Sequence, residues 1–345
     1  MAYTTINKST DYFNTKLYTG NGSTQTISGV GHQPDWTWAK VRSEVGSHRL
    51  ADAVRGNTKY LFSNGTDAEA TDSTNITSWN SDGFALGNGS INENTRTYAS
   101  WNWLANGAGS ANTDGSISST VSANTTSGFS IVKYVSNGTA GATVGHGLGV
   151  APKMVITFNL AGEDNWGIGH SGLSSWDYYL QFNTSAQANS QNVWNDTAPS
   201  TSLVTLGDNG RSNSSNNRNY IMYAFAEKQG YSKFGSYTGN NNDDGAFVYT
   251  GFKPAFVMVK ITAGQTDNWI MQDNKINSFN GASSQRLRPN SSGAEFSSSN
   301  EIDLLSNGFK THGNDGEING SGFSYIYMAF GQSLVGTNNI PANAR

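Results

Sequence analysis

Hydrophobic residues in this chain recur in short runs that are flanked by glycine, asparagine and serine. Three of these runs share one pattern, because a lone proline precedes each and the positions two and four residues after the proline are large and apolar. The prolines are Pro34, Pro152 and Pro254, and the runs are Asp35–Lys40, Lys153–Phe158 and Ala255–Lys260. The intervening positions include Val155 in the second run and Val257 and Val259 in the third, which indicates a central strand that is buried on both faces.

Other features keep the same register in all three copies. Each copy opens with a tyrosine before an Asn/Gly-rich turn, at Tyr18, Tyr134 and Tyr237, and closes with an aromatic strand-like run, at Thr97–Trp103, Asn219–Phe225 and Ser324–Phe330. His48, Trp166 and Trp269 occupy matching places, and Leu61, Leu180 and Leu287 each precede an asparagine by three residues. A Gly-Phe pair follows at Gly83 and Gly308, whereas the second copy lacks it.

Short strands separated by turn residues, repeated three times, predict an all-β chain of three tandem antiparallel β-sandwich modules of jelly-roll-like form. We assign residues 1–106 to module 1, 128–228 to module 2, and 229–345 to module 3 with a C-terminal tail. Residues 107–127 are rich in Gly, Ser, Asn and Thr, which is typical of a flexible linker, with room for a short strand near Ile117 to Val121.

Composition narrows the classes of function. Charged residues are only 13% and the formal net charge is −4, so the chain lacks the basic surface that nucleic-acid binding requires. Cysteine is absent, which excludes disulfides and thiolate metal sites. The first residues do not resemble a secretory signal, and no apolar stretch is long enough for a membrane span. We therefore expect synthesis in a cytoplasm and no membrane insertion.

The sequence offers little that predicts catalysis. The five histidines do not have the spacing of a helical zinc motif, and the acid clusters fit turns as well as they fit a carboxylate pair. Asn240–Gly245 has a run of Asn and Asp side chains that could offer oxygen ligands to a calcium ion, but a tight turn explains them equally well. We predict a non-enzymatic protein without a catalytic, cofactor or metal site, and leave calcium binding by these turns open.

Tryptophans near turn signals are the candidate ligand-binding groups. Aromatic rings beside Asn and Asp on loops are suited to stacking on sugars and hydrogen-bonding them, although β-sandwich cores also use tryptophan. The candidates for glycan contact are Trp79, Trp166, Trp176, Trp194 and Trp269.

Four stretches of the chain carry a likeness to a known group of proteins. They are Gln33–Arg42, Gly251–Lys260, Leu305–Phe309 and the ending Ile340–Arg345. With them the chain resembles, over essentially its full length, the tandem β-module proteins that marine tailed phages, including cyanophages, encode. Module 2 departs from the pattern, because Phe158 replaces the lysine that ends the strand in the other copies and the Gly-Phe pair is missing.

The resemblance implies a structural protein on the virion surface, either a tail fibre or appendage involved in host adsorption, or a capsid decoration protein. Its expected partners are other virion proteins of the capsid or tail, further copies of itself, and a glycan of the host surface. The alternative interpretation is a carbohydrate-binding module protein or a polysaccharide depolymerase. Tail and capsid placement stay open at the level of sequence.

Overall fold

The computed structural model describes residues 3–162, 164–215, 217–277, 280–281, 283–299 and 302–333. Apart from one short 3-10 turn at Ser9–Asp11, the regular structure of these residues consists of β-strands, and the named strands pair antiparallel. The predicted all-β class with tandem antiparallel sandwiches is confirmed. No helix in the described part of the chain is both long and apolar enough to cross a membrane.

Module 1 contains two sheets and a short hairpin. Its strands are β1 (Phe13–Thr19), β2 (Gln25–Ser28), β3 (Trp36–Val41), β4 (Arg49–Asp52), β5 (Lys59–Tyr60), β6 (Ala70–Thr71), β7 (Ile76–Asn80), β8 (Gly83–Leu86) and β9 (Thr97–Trp103). The inner sheet has the order β1-β9-β3-β4, and the outer sheet has the order β2-β8-β7. Strands β5 and β6 form the hairpin.

Module 2 repeats this plan with two strands added at one edge. Its strands are β10 (Ser110–Asn112), β11 (Ser119–Asn124), β12 (Phe129–Val135), β13 (Ala142–Gly145), β14 (Met154–Asn159), β15 (Gly167–His170), β16 (Tyr178–Tyr179), β17 (Asn189–Ser190), β18 (Leu203–Leu206) and β19 (Asn219–Phe225). The inner sheet has the order β10-β11-β12-β19-β14-β15, the outer pair is β13-β18, and the hairpin is β16-β17.

Module 3 has the same layout as module 1. Its strands are β20 (Ser232–Thr238), β21 (Phe247–Tyr249), β22 (Phe252–Ala263), β23 (Ile270–Asp273), β24 (Ser284–Arg286), β25 (Phe296–Ser298), β26 (Ile302–Leu305), β27 (Gly308–Thr311) and β28 (Ser324–Ser333). The inner sheet is β20-β28-β22-β23, the outer sheet is β21-β27-β26, and the hairpin is β24-β25.

The three prolines mark the same place in the three modules, as the sequence predicts. The strands β3, β14 and β22 each lie between the closing aromatic strand of their module and a short following strand. The register is equivalent, because Trp36 pairs with Trp103, Met154 with Phe225 and Phe256 with Phe330. In module 3 the strand begins before the proline and shifts register between Pro254 and Phe256, which fits the missing amide donor of proline.

Residues 107–127, which the composition suggests as a linker, contain β10 and β11. Strand β11 forms a hairpin with β12, pairing Val121 with Val132, and β10 pairs with β11 in turn. Val121 and Ile117 are buried in the core of module 2. The polar composition reflects an edge hairpin that faces solvent on one side, which a composition argument cannot distinguish from a flexible connection.

Every module has its own sandwich core between the inner and outer sheets. The odd positions after each proline supply it: Ala39 in module 1, Val155 in module 2, and Val257 and Val259 in module 3 point to this side. The second residue of each closing strand is a tyrosine, and its ring stacks on the tyrosine that opens the module. The stacked pairs are Tyr18–Tyr98, Tyr134–Tyr220 and Tyr237–Tyr325.

The opposite faces of the three inner sheets pack against one another in a single larger cluster, which we call the common core. The even positions after the prolines lie there: Trp36, Trp38, Met154, Ile156, Phe256 and Met258. Rings from different modules are in direct contact, with 4.4 Å between the centroids of Trp36 and Tyr223 and 5.1 Å between those of Phe13 and Phe330. Both faces of the central strands are therefore apolar because each faces a different core.

Hydrogen bonds between modules repeat with pseudo-threefold symmetry. Trp166 Nε1 donates to the Phe62 carbonyl at 3.0 Å, and Trp269 Nε1 donates to the Gln181 carbonyl at 2.9 Å. At the third interface, His48 Nε2 lies 3.1 Å from the Arg288 carbonyl oxygen. Backbone bonds cross the same three interfaces in the opposite direction, from the amides of Glu69, Ala188 and Glu295 to the carbonyls of Leu160, Thr262 and Arg42. The three modules thus form a closed ring around the common core.

Candidate functional site

The five tryptophans selected from the sequence do not lie together. Trp166 and Trp269 are buried in the common core, and Trp194 is buried in the sandwich core of module 2. Their exposed fractions are 0%, 1% and 0%, so no ring face of theirs is available for stacking on a sugar in this structure. These tryptophans stand near turn residues in the sequence because the chain enters a core at these positions.

The remaining two tryptophans are half-buried and also have packing roles. Trp176 contacts Trp194 edge to face, with 6.0 Å between ring centroids. Trp79 packs against the sandwich core of module 1, and its Nε1 donates to Thr37 Oγ1 at 3.4 Å. These rings keep an exposed edge, but they lie in different modules and do not converge on one groove.

The side chains of the Asn-rich turns form hydrogen bonds within the protein. Three buried asparagines, Asn92, Asn213 and Asn319, each hold the turn that follows the opening tyrosine of their module. In module 3, Asn319 Nδ2 donates to the carbonyls of Gly313 and Asn242, while Asn319 Oδ1 accepts the Asn240 amide at 3.0 Å. Within Asn240–Gly245, the Asn240 and Asn242 side chains accept the amides two residues further on. No group of three or more His, Cys, Asp or Glu side chains that could hold a metal ion occurs in the described residues.

Three buried titratable groups at the ends of equivalent strands lie at contacts between modules. His170 Nε2 lies 3.2 Å from the Tyr327 carbonyl oxygen, and burial lowers its pKa to about 4. Asp273, at the equivalent strand end of module 3, accepts Trp101 Nε1 at 2.9 Å, and burial raises its pKa. Asp52, at the corresponding position of module 1, accepts the Tyr223 hydroxyl at 2.8 Å. These groups join the modules rather than line an open cleft.

The lysine six residues after the proline in modules 1 and 3 also spans an interface. Lys260 Nζ donates to the carbonyls of Ser185 at 3.0 Å and Asp267 at 2.6 Å, and Lys40 Nζ reaches the Ser292 carbonyl at 3.4 Å. Burial lowers the pKa of each lysine to about 8. In module 2, Phe158 stacks on Trp166 instead, with 4.4 Å between centroids. The departure noted in the sequence therefore replaces a polar contact between modules with an aromatic contact inside module 2, at the common core.

Two aromatic side chains on the surface of module 3 are about half exposed, and one of them, Tyr249, also makes a side-chain hydrogen bond with Tyr3. Phe247 and Tyr249 are 50% and 57% exposed and alternate on β21 with the buried Val248. The two rings therefore project from the same face of the outer sheet, with their Cα atoms about 7 Å apart. We call this pair the aromatic strip. The register-equivalent residues are Thr26 and Ser28 in module 1, and Thr143 and Gly145 in module 2.

The aromatic strip continues into a groove of about 370 Å³ where three distant segments meet. Tyr3 comes from the N-terminal segment, Gln229 from the connection between modules 2 and 3, and Gly251 from the turn after β21. The Tyr3 hydroxyl donates to the Gly251 carbonyl at 2.8 Å. Gly251 has a φ of +81°, and a Cβ there would lie 2.6 Å from the Tyr3 oxygen, so glycine is required for this approach.

The floor of this groove is polar and carries balanced charge. Lys233 Nζ donates to Glu227 Oε1 at 2.8 Å, and both side chains are partly exposed to solvent. Gln229 is exposed beside them. The groove therefore offers carboxylate and amide acceptors, amide and ammonium donors, and the Tyr249 ring within one small area.

A second groove, of about 520 Å³, lies between modules 2 and 3. Its walls present mainly hydroxyl and amide groups, among them Ser174, Gln187, Thr238 and Ser324. Tyr237 also lines it, but the Tyr237 hydroxyl donates to the Ile318 carbonyl at 2.7 Å and its ring is stacked on Tyr325. The other aromatic residue of this groove, Tyr178, is half-buried, whereas both rings of the aromatic strip are at least 50% exposed.

Comparisons with known proteins give a family. A family model described as a domain of unknown function, DUF7483, matches residues 8–333. No curated protein and no solved structure matches the chain.

Proposed function

We propose, for a chain that belongs to the DUF7483 family of domains of unknown function, a structural role on the exterior of a tailed-phage particle. In this role the protein is a tail fibre or appendage component, or a capsid decoration protein, and it does not catalyse a reaction. The motivation from the sequence is the likeness to phage β-module proteins in stretches such as Gln33–Arg42 and Gly251–Lys260.

The observation that carries the proposal is the common core shared by the three modules. A protein that works on a particle outside the cell must keep its shape there, and this chain has no cysteine with which to form disulfides. Burial of the inner faces of three sheets in one cluster supplies that stability by another route. Hydrogen bonds at all three interfaces then fix the relative positions of the modules.

The test is the composition of purified particles. Virions of the phage that encodes the chain are purified by density gradient and washed at high salt, and their proteins are quantified by mass spectrometry against the major capsid protein. We expect the chain at a fixed copy number per particle. Recovery of the chain only in the soluble fraction of the lysate would contradict the proposal, and imaging of labelled particles distinguishes tail from capsid.

A second candidate function is that of a carbohydrate-binding protein. The observation in its favour is the aromatic strip beside a polar groove in module 3, which does not recur in modules 1 and 2. This function is compatible with a place on a particle, since a protein that contacts the host surface meets glycans there.

A further inference from the structure

The aromatic strip and its groove differ from the rest of the surface. Among the described residues, the exposed large hydrophobic side chains are Val45, Val135, Val150, Phe247 and Tyr249. The three valines are scattered over modules 1 and 2, and single exposed apolar residues need no explanation. Phe247 and Tyr249 are instead two aromatic rings on one face of one short strand.

The neighbouring strand β27 leaves room for the Phe247 ring. Gly308 pairs with Tyr249 across the sheet, and a Cβ on Gly308 would lie 3.1 Å from Phe247 Cε2. The Phe247 ring thus rests over a position that has no side chain. Next along the strand, Lys310 pairs with Phe247 and forms an ion pair with Asp244, which places charged groups at the rim.

The equivalent positions in the other modules show that the fold does not require these rings. Module 1 places Thr26 and Ser28 there, and module 2 places Thr143 and Gly145, although Ile27 and Val144 fill the same buried position as Val248. Threonine and serine satisfy an exposed strand position without exposing apolar area. The aromatic residues of module 3 therefore expose apolar area to water, which is unfavourable. A ligand bound on the two rings would cover that area.

We propose that Phe247, Tyr249 and the adjoining groove form a binding site for an uncharged polysaccharide segment. A pyranose ring has an apolar C–H face and a rim of hydroxyl groups, so it matches an aromatic ring beside donors and acceptors. The two rings on β21 accept successive sugar units along the strand. Glu227, Gln229 and Lys233 line the groove and meet the hydroxyls of a further unit.

The charge balance of the groove selects this ligand class. Glu227 and Lys233 form an ion pair with each other, so the groove carries no net charge from these two residues and favours a neutral chain over a sulfated or uronic one. The site is open rather than enclosed, since it extends from the groove over the flat face of β21. It therefore suits an internal segment of a long chain.

The experiment measures binding of short linear glucan, mannan and galactan oligosaccharides to the full-length protein by isothermal titration. The test variant combines Phe247→Thr with Tyr249→Ser, which copies the residues that module 1 carries at these positions. We expect an oligosaccharide of at least one of these classes to bind the wild type, and the test variant to bind it at least about tenfold more weakly. Gln229→Ala tests the groove separately and is expected to weaken binding of the longer oligosaccharides. The control is Val45→Ser, which removes an exposed apolar side chain elsewhere and should leave affinity unchanged.

Unchanged affinity in the double variant would overturn the proposal, as would the failure of the wild type to bind any of the three saccharide classes. Analytical ultracentrifugation of the same samples tests another occupant of the site. A concentration-dependent dimer that Phe247→Thr with Tyr249→Ser abolishes would also contradict the proposal, since a second copy of the chain would then cover the rings. Equal thermal unfolding of variant and wild type excludes misfolding as the reason for lost binding. The result is independent of whether the chain is found on a particle.

Discussion

At the scale of single residues, buried polar side chains fix the turns that link the two sheets of each module. Asn92, Asn213 and Asn319 each donate to two carbonyls and accept the amide of the asparagine that follows the opening tyrosine. A tyrosine hydroxyl next to each asparagine accepts another amide, as at Tyr325 and Gly320 with 2.7 Å. These asparagine side chains thus form hydrogen bonds with backbone amides and carbonyls that are not paired within the strands.

Replacement of Asn319 by alanine is expected to lower the free energy of unfolding by about 2–4 kcal/mol, because two carbonyls and one amide lose their partner in a buried place. Urea denaturation followed by tryptophan fluorescence measures the change. Asn88→Ala is the matched control, since Asn88 is exposed, and we expect a change within about 0.5 kcal/mol. Equal effects of the two substitutions would contradict the structural role of Asn319.

His170 predicts a loss of stability in acid. Its pKa is about 4 in the folded chain, below the ordinary value of 6.5, because burial disfavours the imidazolium. Between these values the unfolded chain binds more protons, so the free energy of unfolding falls as the pH is lowered from 6.5 to 4, by about 3 kcal/mol from this group. His32, His48 and His146 are shifted in the same direction and steepen the decline.

The check is the pH dependence of urea unfolding for His170→Gln. Glutamine retains a donor for the Tyr327 carbonyl but does not titrate, so we expect a shallower decline between pH 6.5 and 4 than in the wild type. A variant whose curve runs parallel to that of the wild type over this interval would show that His170 is not responsible.

At the scale of elements, close approach of strands explains the Gly-Phe pairs that the sequence shows in modules 1 and 3. A Cβ on Gly83 would lie 1.9 Å from the Ile27 oxygen, and one on Gly308 would lie 2.1 Å from the Val248 oxygen. Both glycines therefore let the first strand of the outer sheet lie tightly on the next. The phenylalanines that follow, Phe84 and Phe309, are fully buried in the sandwich cores.

Gly308→Ala is expected to destabilise the chain by about 1–3 kcal/mol, because β21 must move away from β27 to admit the methyl group. Gly293→Ala is the control, since its only near neighbour is the Ser291 hydroxyl at 3.3 Å, and we expect little change. Thermal unfolding of the two variants gives the comparison. A Gly308→Ala protein as stable as the control would mean that the outer sheet tolerates wider spacing.

Most elements could be predicted from the sequence, but their assembly could not. The proline-led runs predict β3, β14 and β22 because alternation and strand propensity are local properties. The common core depends on which apolar strand face packs against which module. The sequence around Trp36 or Met258 does not indicate which module that residue will contact. The aromatic strip was open to prediction only by comparing Phe247 and Tyr249 with Thr26 and Ser28, whereas a search for tryptophans leads to buried residues such as Trp166.

At the scale of the whole molecule, the common core makes the three modules depend on one another. Each inner sheet buries one face against the other two modules, so a module that separates exposes part of that core to water. Module 1 also contacts the closing strand of module 3 directly, because the Ser9 amide and hydroxyl donate to Gln332 Oε1, both at 3.0 Å. We therefore expect the described body to unfold in one cooperative transition rather than module by module.

Trp269→Phe tests this cooperativity. The substitution removes the hydrogen bond from module 3 to the Gln181 carbonyl of module 2 and should cost about 1–3 kcal/mol. If the body unfolds as one unit, native-state hydrogen exchange read by mass spectrometry will show the slowest amides of β9, in module 1, losing as much protection as those of β28. Trp79→Phe, whose bond to Thr37 stays inside module 1, serves as a weaker control because Trp79 is only half-buried. If instead β9 kept its full protection while β28 lost it, the modules would unfold separately, and the common core would be a contact between independent domains.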